Sequence, residues 1–370
     1  MLRLQAPLPP GYVTATDEDL AARIGMAKRA LGTRVMILGH HYQREEVMRW
    51  ADARGDSFGL SRLAARSDAE YVVFCGVHFM AESADILTGP DQVVILPDLN
   101  AGCSMADMAD LESVEEAWET LARVTDVKSV VPVTYMNSAA ALKAFVGRAG
   151  GAVCTSSNAK AVVTWALQQH GPETKVLFFP DQHLGRNTAY QLGFGEQDMA
   201  VWDPRLESGG LRDADIKEAR FLLWKGHCSV HQRFRTSHVA DFRAAHPDGV
   251  VIAHPECSHD VVALADAVGS TDHIIATVDT LAASAPPGTA VAVATEIHLV
   301  QRLAAEHPSL RIQSLDPLVC PCSTMFRIDA PHLAWVLEEL AAGRVVNQIT
   351  VDPDTASWAR VALQRMLDIT

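Results

Sequence analysis

The chain repeats one order of elements three times, and this repeat constrains its fold more than any other feature. In each copy an apolar strand ends in a polar signature, a helix and a small polar cluster follow, and later strands lead to a histidine and a cysteine. The signatures and clusters are residues 34–42 with 55–57, 130–137 with 155–158, and 249–256 with 269–272. The histidines and cysteines are His78 with Cys103, His183 with Cys228, and His298 with Cys322.

The spacing within the copies is also similar. His40 lies 17 residues before Ser57, and His254 lies 17 residues before Thr271. The second copy is longer because it contains residues 195–220, a polar and glycine-rich stretch that we interpret as an insertion.

Strands that alternate with helical stretches predict an α/β fold. The apolar runs at 176–179 and 291–294 are typical of parallel strands that helices cover on both faces. We therefore expect three small α/β/α sandwich domains with parallel sheets. The predicted domains are residues 14–103 together with the C-terminal 323–370, residues 104–228 with the insertion, and residues 229–322.

Parallel α/β units bind ligands at the carboxyl ends of their strands, where each polar signature is predicted to lie. If the three units surround a common axis, the signatures and the three terminal cysteines converge on one cavity. A structural zinc site and a [4Fe–4S] cluster each normally have four protein ligands. Three cysteines therefore indicate a metal centre with an open position that can act as a Lewis acid. Spacing alone leaves zinc open as an alternative metal, and it leaves both Cys320 and Cys322 open as the third ligand.

The seven cysteines are an odd number, which favours thiols or metal ligands over a disulfide framework. Cys75 and Cys154 end apolar strands, and Cys257 follows a polar signature. We expect these three to be buried packing residues.

The hydroxyl clusters predict helix N-termini that can hold anions. The N-cap candidates are Ser57, Ser156 or Ser157, and Ser270 or Thr271. A helix N-terminus offers free N–H groups and the positive end of a dipole. Three such ends around one cavity would select a polyanionic substrate without many lysines.

The first and third signatures contain groups that can transfer protons near neutral pH. These candidates are His40, Tyr42, His254 and Glu256. A single histidine is more often structural than catalytic, so we do not place the three repeated histidines His78, His183 and His298 in the site.

The net charge of −14 argues against a nucleic-acid partner, because binding needs a basic surface. No apolar run approaches the ~18 residues of a membrane span. Residues 1–13 lack the continuous apolar stretch of a signal peptide. We therefore expect a cytoplasmic protein with no membrane partner.

Nine motifs, in the same order along the chain, resemble those of the quinolinate synthases. They are GHHYQ at 39–43, GDS at 55–57, PDLNAGC at 97–103, TYMN at 134–137, CTSSN at 154–158, PDQHLGR at 180–186, GHCSVH at 226–231, HPE at 254–256 and CPCSTM at 320–325. The insertion and the Cys-Pro-Cys ending resemble the longer branch of that family. Phe326 departs from this branch, in which asparagine is common at that position.

This resemblance implies a pseudo-threefold, three-domain fold with a [4Fe–4S] cluster in a central active-site cavity. It implies condensation of iminosuccinate (iminoaspartate) with dihydroxyacetone phosphate to quinolinate, with release of phosphate and water, in de novo NAD biosynthesis. It also implies a functional link to L-aspartate oxidase, which supplies iminosuccinate.

The resemblance further assigns residues to this chemistry. The family's cluster ligands match Cys103, Cys228 and Cys322, with Cys320 as the alternative third ligand. The substrate-binding positions match His40, Ser57, Tyr135, Asn137, Ser156, Ser157, His254, Glu256 and Thr271. Tyr42 matches a catalytic tyrosine, and we assign Glu256 as the acid or base, with Tyr42 and His254 as proton-transfer or positioning partners.

Two other functions fit the same sequence pattern. An iron–sulfur hydro-lyase would use the same open iron on a different polycarboxylate. A non-catalytic iron–sulfur sensor would bind a small anion, but it has no need of histidine, tyrosine and glutamate at the strand ends.

Overall fold

A computed structural model gives the structure of residues 5–318 and 321–369. The chain divides into two compact units. Unit 1 comprises residues 5–103 and 321–352, and unit 2 comprises residues 104–318 and 353–369. Cys320, the alternative third cysteine ligand, lies outside the described residues.

Three β-sheets of mostly parallel strands form the framework of the described residues. In chain order the strands are β1 (Val35–His40), β2 (Ala53–Gly55), β3 (Tyr71–Cys75), β4 (Val93–Ile95), β5 (Val130–Tyr135), β6 (Ala152–Cys154), β7 (Lys175–Phe179), β8 (Met199–Trp202), β9 (Phe221–Trp224), β10 (Val250–Ala253), β11 (Ala267–Val268), β12 (Ala290–Ala294), β13 (Arg311–Ser314) and β14 (Gln348–Ile349).

Helices connect these strands. In chain order they are α1 (Pro10–Val13), α2 (Asp17–Leu31), α3 (Glu45–Met48), α4 (Ser57–Arg66), α5 (His78–Leu87), α6 (Leu111–Val124), α7 (Ala140–Arg148), α8 (Ala159–Leu167), α9 (Gln182–Gln191), α10 (Asp213–Glu218), α11 (Thr236–Ala245), α12 (His259–Val262), α13 (Thr271–Ser284), α14 (Ile297–Glu306), α15 (Ala330–Ala341) and α16 (Pro353–Asp368). The ends of α2 follow from its sequence. The Thr16 side chain accepts a hydrogen bond from the Asp19 N–H, and Gly32 ends the helix with a φ of 56°, which glycine adopts readily.

The sheet of unit 1 has the strand order β14–β4–β3–β1–β2. Its strands are parallel except for β14, which joins the edge in the antiparallel direction. The register places Leu38 of β1 between Ala53 of β2 and Phe74 of β3. All residues of β3 are buried, as expected for a parallel strand with helices on both faces.

Unit 2 contains two parallel sheets, with the orders β6–β5–β7–β9–β8 and β11–β10–β12–β13. Residues 195–220 contain β8 and α10, and β8 extends the edge of the first of these sheets beyond β9. The segment interpreted as an insertion thus adds one edge strand and one helix.

Apart from the edge strands β8 and β14, each sheet has four strands. Numbered in chain order, these four lie side by side in the order second, first, third and fourth. These strands are β2–β1–β3–β4, β6–β5–β7–β9 and β11–β10–β12–β13. In such sheets the chain changes direction between the first and third strands, and ligands bind beyond the carboxyl ends there. The predicted α/β fold with parallel sheets is confirmed, whereas the arrangement of three domains around a common axis stays a prediction.

The C-terminal segment differs from the expectation that residues 323–370 pack with the first sheet. α15 packs against α2 and β14 pairs with β4, all within unit 1. α16 instead packs against α7 and β6 in unit 2. α16 and α7 approach closely at Gly147, where a Cβ atom would lie only 2.0 Å from the carbonyl oxygen of Trp358 in α16. The absence of a side chain at Gly147 permits this approach.

Within the described residues, the helices fall short of the length and apolar character that a membrane crossing demands.

Candidate functional site

Each polar signature lies at the carboxyl end of the first strand of a sheet. His40 ends β1, Tyr135 ends β5, and His254 directly follows β10. Each of these strands borders the point where its sheet changes direction. The predicted signatures therefore occupy the position at which doubly wound sheets bind ligands.

Unit 2 holds a buried cluster of polar side chains around Glu256. The Tyr135 hydroxyl donates to Glu256 Oε1 at 2.5 Å. Glu256 Oε2 lies 2.8 Å from Nδ1 of His231, whose Nε2 lies 3.1 Å from Oγ1 of Thr295. The ring of His254 stacks on that of His231 with centroids 4.4 Å apart. The cluster thus unites side chains from the β5, β10 and β12 strand ends.

Glu256 and Asp181 are neighbouring buried carboxyls whose pKa values are shifted in opposite directions. Burial alone would raise the pKa of Glu256, but the charge of the adjacent His231 and the hydrogen bonds from His231 and Tyr135 outweigh burial and hold that pKa well below its usual range. Burial and the negative charge of Glu256 raise the pKa of Asp181 well above its usual range. At neutral pH Glu256 is therefore a carboxylate.

His254 is neutral, and one hydrogen bond identifies its tautomer. Burial and the charge of His231 lower the pKa of His254 to about 3, against the opposing effect of Glu256. Nδ1 of His254 accepts a hydrogen bond from the backbone N–H of Glu256 at 3.3 Å. The ring proton therefore lies on Nε2, which makes Nε2 a hydrogen-bond donor.

Several buried polar atoms near this cluster have no hydrogen-bond partner in the described part of the chain. They are Oδ1 of Asn137, Oδ2 of Asp181 and both ring nitrogens of His183. Burial lowers the pKa of His183 to about 4, so this ring is neutral. A buried polar atom without a partner costs roughly 1–3 kcal/mol, and such atoms are rare in native proteins. They support binding of a polar ligand here.

A buried lysine fixes the turn that carries Asn137. Lys143 of α7 is fully buried and donates to the carbonyl oxygen of Ser138. Oγ of Ser138 donates to the Tyr135 carbonyl oxygen at 2.8 Å and accepts from Oγ1 of Thr134 at 3.0 Å. The turn after β5 is therefore held at several points, which sets the directions of Tyr135 and Asn137.

Cys228 lies beside the Glu256 cluster. Its Sγ, a ring nitrogen of His231 and a carboxylate oxygen of Glu256 all lie within 4.8 Å of one another. The Cys228 loop runs close to Pro180, since a Cβ atom at Gly226 would lie 2.2 Å from the Pro180 carbonyl oxygen. Thiolate, imidazole and carboxylate are all metal ligands, so unit 2 offers metal-binding groups at this point.

In unit 1, His40 and Tyr42 are joined at the end of β1. The Tyr42 N–H donates to Nδ1 of His40 at 3.2 Å. Their rings meet edge to face with centroids 4.7 Å apart. The two predicted side chains therefore form one pair, with His40 buried and Tyr42 half-buried.

The segment after Cys322 packs on the residues that follow this pair. Gln43 is buried, and its Nε2 donates to the carbonyl oxygen of Met325 at 3.2 Å. The Arg44 guanidinium donates to the Phe326 carbonyl oxygen at 2.5 Å and lies 3.3 Å from the centroid of the Phe326 ring. These contacts hold the segment against the loop after β1.

A buried carboxylate links two cysteine-bearing loops of unit 1. Asp98 accepts a hydrogen bond from the Asn100 N–H at 2.8 Å and pairs with Nε of Arg327 at 2.9 Å. Asp98 lies five residues before Cys103, and Arg327 lies five residues after Cys322. The ion pair therefore ties the two loops together.

The described cysteines form two classes. Cys103, Cys228 and Cys322 are half-buried, whereas Cys75, Cys154 and Cys257 are fully buried. Burial raises the pKa of Cys75 to about 12 and raises the pKa of the other two buried thiols as well. Because metal ligation needs the thiolate, the three half-buried thiols are the better ligands.

The hydroxyl clusters open helices, but their caps differ in part from the prediction. Asp56, not Ser57, caps α4, because Asp56 has the extended backbone of an N-cap and Ser57 is already the first residue of the helix. Ser270 caps α13. Asn158 precedes α8, and its side chain makes no capping hydrogen bond to that helix.

The hydroxyl clusters of the second and third sheets meet at one cavity in unit 2. Its volume is about 240 Å³. Ser156, Ser157 and Ser270 line it together with Lys160 and His273.

The family model described as quinolinate synthetase A protein (NadA) matches residues 22–368 of this chain. The chain belongs to this family. Quinolinate synthase from Nocardioides sp. is 57% identical over 365 residues, which cover 97% of this chain and 91% of the relative. Quinolinate synthase from Corynebacterium glutamicum is 54% identical, with 99% and 91% covered. Quinolinate synthase from Anoxybacillus flavithermus is 52% identical, with 97% and 96% covered.

In this member of the quinolinate synthetase A family, the sequence did not predict two residues in or beside the Glu256 cluster, His231 and Asp181. His231 lies in the GHCSVH motif, and its spacing of three residues from Cys228 is a signal that could have indicated it. Asp181 directly precedes α9 and accepts hydrogen bonds from the N–H groups of His183 and Leu184. From sequence it looks like an N-cap alone, and only the fold shows its proximity to Glu256.

Proposed function

We propose that this protein is a quinolinate synthase. It condenses iminosuccinate with dihydroxyacetone phosphate to quinolinate, with release of phosphate and water, in de novo NAD biosynthesis in the cytoplasm. L-Aspartate oxidase supplies the iminosuccinate. The observation that carries the proposal is the buried cluster around Glu256, next to Cys228, in a member of the quinolinate synthetase A family.

The 240 Å³ cavity of unit 2 supports anionic substrates. Its hydroxyl groups can hydrogen-bond carboxylate or phosphate oxygens, and the ammonium group of Lys160 supplies a positive charge. The helices α8 and α13 begin at this cavity, and the positive ends of their dipoles add to the attraction. We assign Ser156 and Ser157, which line this cavity, and Thr271 of α13 to substrate binding. In unit 1 we assign His40 and Ser57 to substrate binding.

The thiols of Cys103, Cys228 and Cys322 would hold the cofactor, a [4Fe–4S] cluster. Such a cluster with three cysteine ligands supplies one iron that can act as a Lewis acid on a substrate oxygen or nitrogen. The accessibility of these three thiols supports their role as ligands of the cluster. The Asp98–Arg327 ion pair also supports this role, because it ties together the loops that carry Cys103 and Cys322 in unit 1.

We assign Glu256 as the acid or base of the site, and its carboxylate is in the proton-accepting form at neutral pH. Tyr135 and His231 hold its two oxygens, and thus aim the carboxylate. His254 donates a hydrogen bond to substrate through Nε2. The raised pKa of Asp181 disfavours a second negative charge in a region that binds anions.

Tyr135, the last residue of β5, binds substrate through its hydroxyl, and Asn137, two residues later, binds through its amide. The unsatisfied Oδ1 of Asn137 supports this role, because a substrate donor would satisfy it. Tyr42 is the second proton-transfer group, and its ring is positioned by the buried His40.

Product analysis under anaerobic conditions tests this function. Purified protein with its iron and sulfide content measured is supplied with iminosuccinate, generated from L-aspartate by an oxidase, with and without dihydroxyacetone phosphate. We expect quinolinate and phosphate in equal amounts, and only when dihydroxyacetone phosphate is present.

Two outcomes would contradict the proposal. A dehydrated product formed from a polycarboxylate without dihydroxyacetone phosphate would identify a hydro-lyase. Cluster-replete protein that forms no pyridine product would point to a non-catalytic sensor.

A further inference from the structure

The loop at residues 155–158, which carries Ser156 and Ser157, is organised by the side chain of Asn158. Oδ1 of Asn158 accepts hydrogen bonds from the backbone N–H of Thr155 at 2.8 Å and from its Oγ1 at 3.2 Å. Oγ1 of Thr155 accepts in turn from the N–H of Ser157 at 3.3 Å. The two serines therefore lie in a turn that closes on Asn158.

The other end of the same amide reaches the C-terminal helix. Nδ2 of Asn158 donates to the carbonyl oxygen of Met366, in the last turn of α16, at 3.2 Å. These partners fix the orientation of the Asn158 amide. The Thr155 N–H needs the amide oxygen, and the Met366 carbonyl needs the amide N–H. Met366 is among the last four residues of α16, whose carbonyl oxygens lack a partner within the helix. Asn158 supplies that partner across 208 positions of sequence.

α16 itself is held firmly on the second sheet. Nη1 of Arg365 donates to the carbonyl oxygen of Gly151, directly before β6, at 2.6 Å. Ala362, Leu363 and Met366 are fully buried. α16 therefore contacts the chain on both sides of β6, just before it at Gly151 and just after it at Asn158.

The corresponding loops of the other two sheets are built differently. The side chains of Asp56 and Ser270 cap the helices that they precede, α4 and α13. Asn158 occupies the same position before α8 but makes no such cap. Its hydrogen bonds are directed instead to its own loop and to α16.

We propose that α16 is a positioning element for the substrate loop 155–158, and that Asn158 is the residue through which it acts. The inference rests on the proposed function, because it takes Ser156 and Ser157 as substrate contacts. Asn158 itself does not touch the substrate; it sets the positions of the two serines.

Asn158→Asp tests the link, since aspartate keeps an oxygen for Thr155 but replaces the donor to Met366 with an acceptor. We expect KM for one of the two substrates to rise about tenfold, with kcat changed less than about threefold, as for the loss of one buried hydrogen bond. Iron and sulfide content should equal that of the unmodified protein. Asn158→Ala, which buries no charge, is the second variant, in case the aspartate prevents folding, and should show the same pattern.

Hydrogen–deuterium exchange gives a readout that needs no activity. In both Asn158 variants we expect faster exchange in residues 153–158 and also in residues 364–369. The matched control is Gln364→Ala, because Gln364 lies in the last turns of α16 and its exposed side chain donates to Asp368 of the same helix. This control should leave KM and the exchange of residues 153–158 unchanged.

Unchanged KM values together with unchanged exchange in residues 364–369 would overturn the proposal. A fall in kcat with unchanged KM would also overturn it, since that would indicate loss of active protein rather than a displaced substrate loop. If the unmodified protein makes no quinolinate, the proposed function fails, and the exchange experiment still decides whether Asn158 couples the loop to α16.

Discussion

Glu256 is buried, yet it remains ionised because the charge of His231 and the hydrogen bonds from His231 and Tyr135 lower its pKa. Sequence reasoning could find Glu256 and His254, since both follow a strand and both are of proton-transferring types. It could not find the opposite pKa shifts of Glu256 and Asp181, because these depend on the proximity of two residues that lie 75 positions apart in the chain. The tautomer of His254 likewise depends on a backbone N–H whose direction only the fold sets.

Glu256→Gln tests the role of this carboxylate. Glutamine preserves the shape of the side chain but cannot accept a proton, and its amide must place a donor against Tyr135 or His231. We expect kcat to fall by about 10²–10³-fold, within the range for loss of a general base. Anaerobic steady-state kinetics measure the effect, with iron and sulfide content as the control for an intact cluster. A variant with kcat within twofold of the unmodified protein would rule out Glu256 as the base.

Tyr42→Phe removes the hydroxyl group but keeps the ring on His40 and the backbone hydrogen bond. We expect turnover to fall about 100-fold with the cluster retained, as for loss of a proton-transfer group. Tyr71→Phe is the matched control, because Tyr71 belongs to the same unit and its hydroxyl bonds to Arg34 at the surface. Normal turnover by the Tyr42 variant would remove this tyrosine from the mechanism.

Among the elements, strand ends were predictable and helix caps were not. Apolar runs followed by polar residues located the ends of β1, β5 and β10. The hydroxyl clusters indicated where helices begin, but several polar residues adjoin each start. Which one becomes the cap depends on backbone geometry, so Asp56 took the place assigned to Ser57. Asn158 bonds to a helix that no local pattern could indicate.

The packing of α15 on α2 allows a test of stability. Glu338 of α15 receives hydrogen bonds from Nε and Nη2 of Arg23 at 2.8 and 2.7 Å, and from the Tyr12 hydroxyl at 2.7 Å. The hydrogen bond from Arg23 is the main cause that lowers the pKa of Glu338. We expect Glu338→Gln to reduce the free energy of unfolding by about 1 kcal/mol at pH 7, since the pair is partly exposed to solvent.

The pH dependence of this loss follows from the lowered pKa. The stabilisation is complete above the pKa of the unfolded chain, ~4.3, and is lost as the pH falls through the lower pKa of the folded state. The difference between the two proteins, measured by urea unfolding, should therefore shrink at acid pH. Glu339→Gln, which disturbs a more exposed pair with Arg344, should have a smaller effect. An equal loss at pH 7 and at acid pH would contradict the ion-pair explanation.

For the whole molecule, the threefold repeat in the sequence corresponds to three sheets that share one strand order. The repeat was visible because each copy keeps a strand-end signature, a hydroxyl cluster and a cysteine at similar spacing. It could not predict that α16 would leave the first sheet and pack on α7, since that choice depends on the close approach permitted by Gly147. The burial of Cys75 and Cys154 was predictable because both end apolar strands, and Cys257 is fully buried as expected.

The most direct test of the account is iron and sulfide analysis of single Cys→Ala variants purified without oxygen. We expect Cys103→Ala, Cys228→Ala and Cys322→Ala to lose the cluster and all activity. Cys75→Ala, Cys154→Ala, Cys257→Ala and Cys320→Ala should retain about four irons and four sulfides per chain. Cys257→Ala is the closest control for Cys228, because both cysteines belong to unit 2. A Cys228→Ala variant with a full and active cluster would contradict the account.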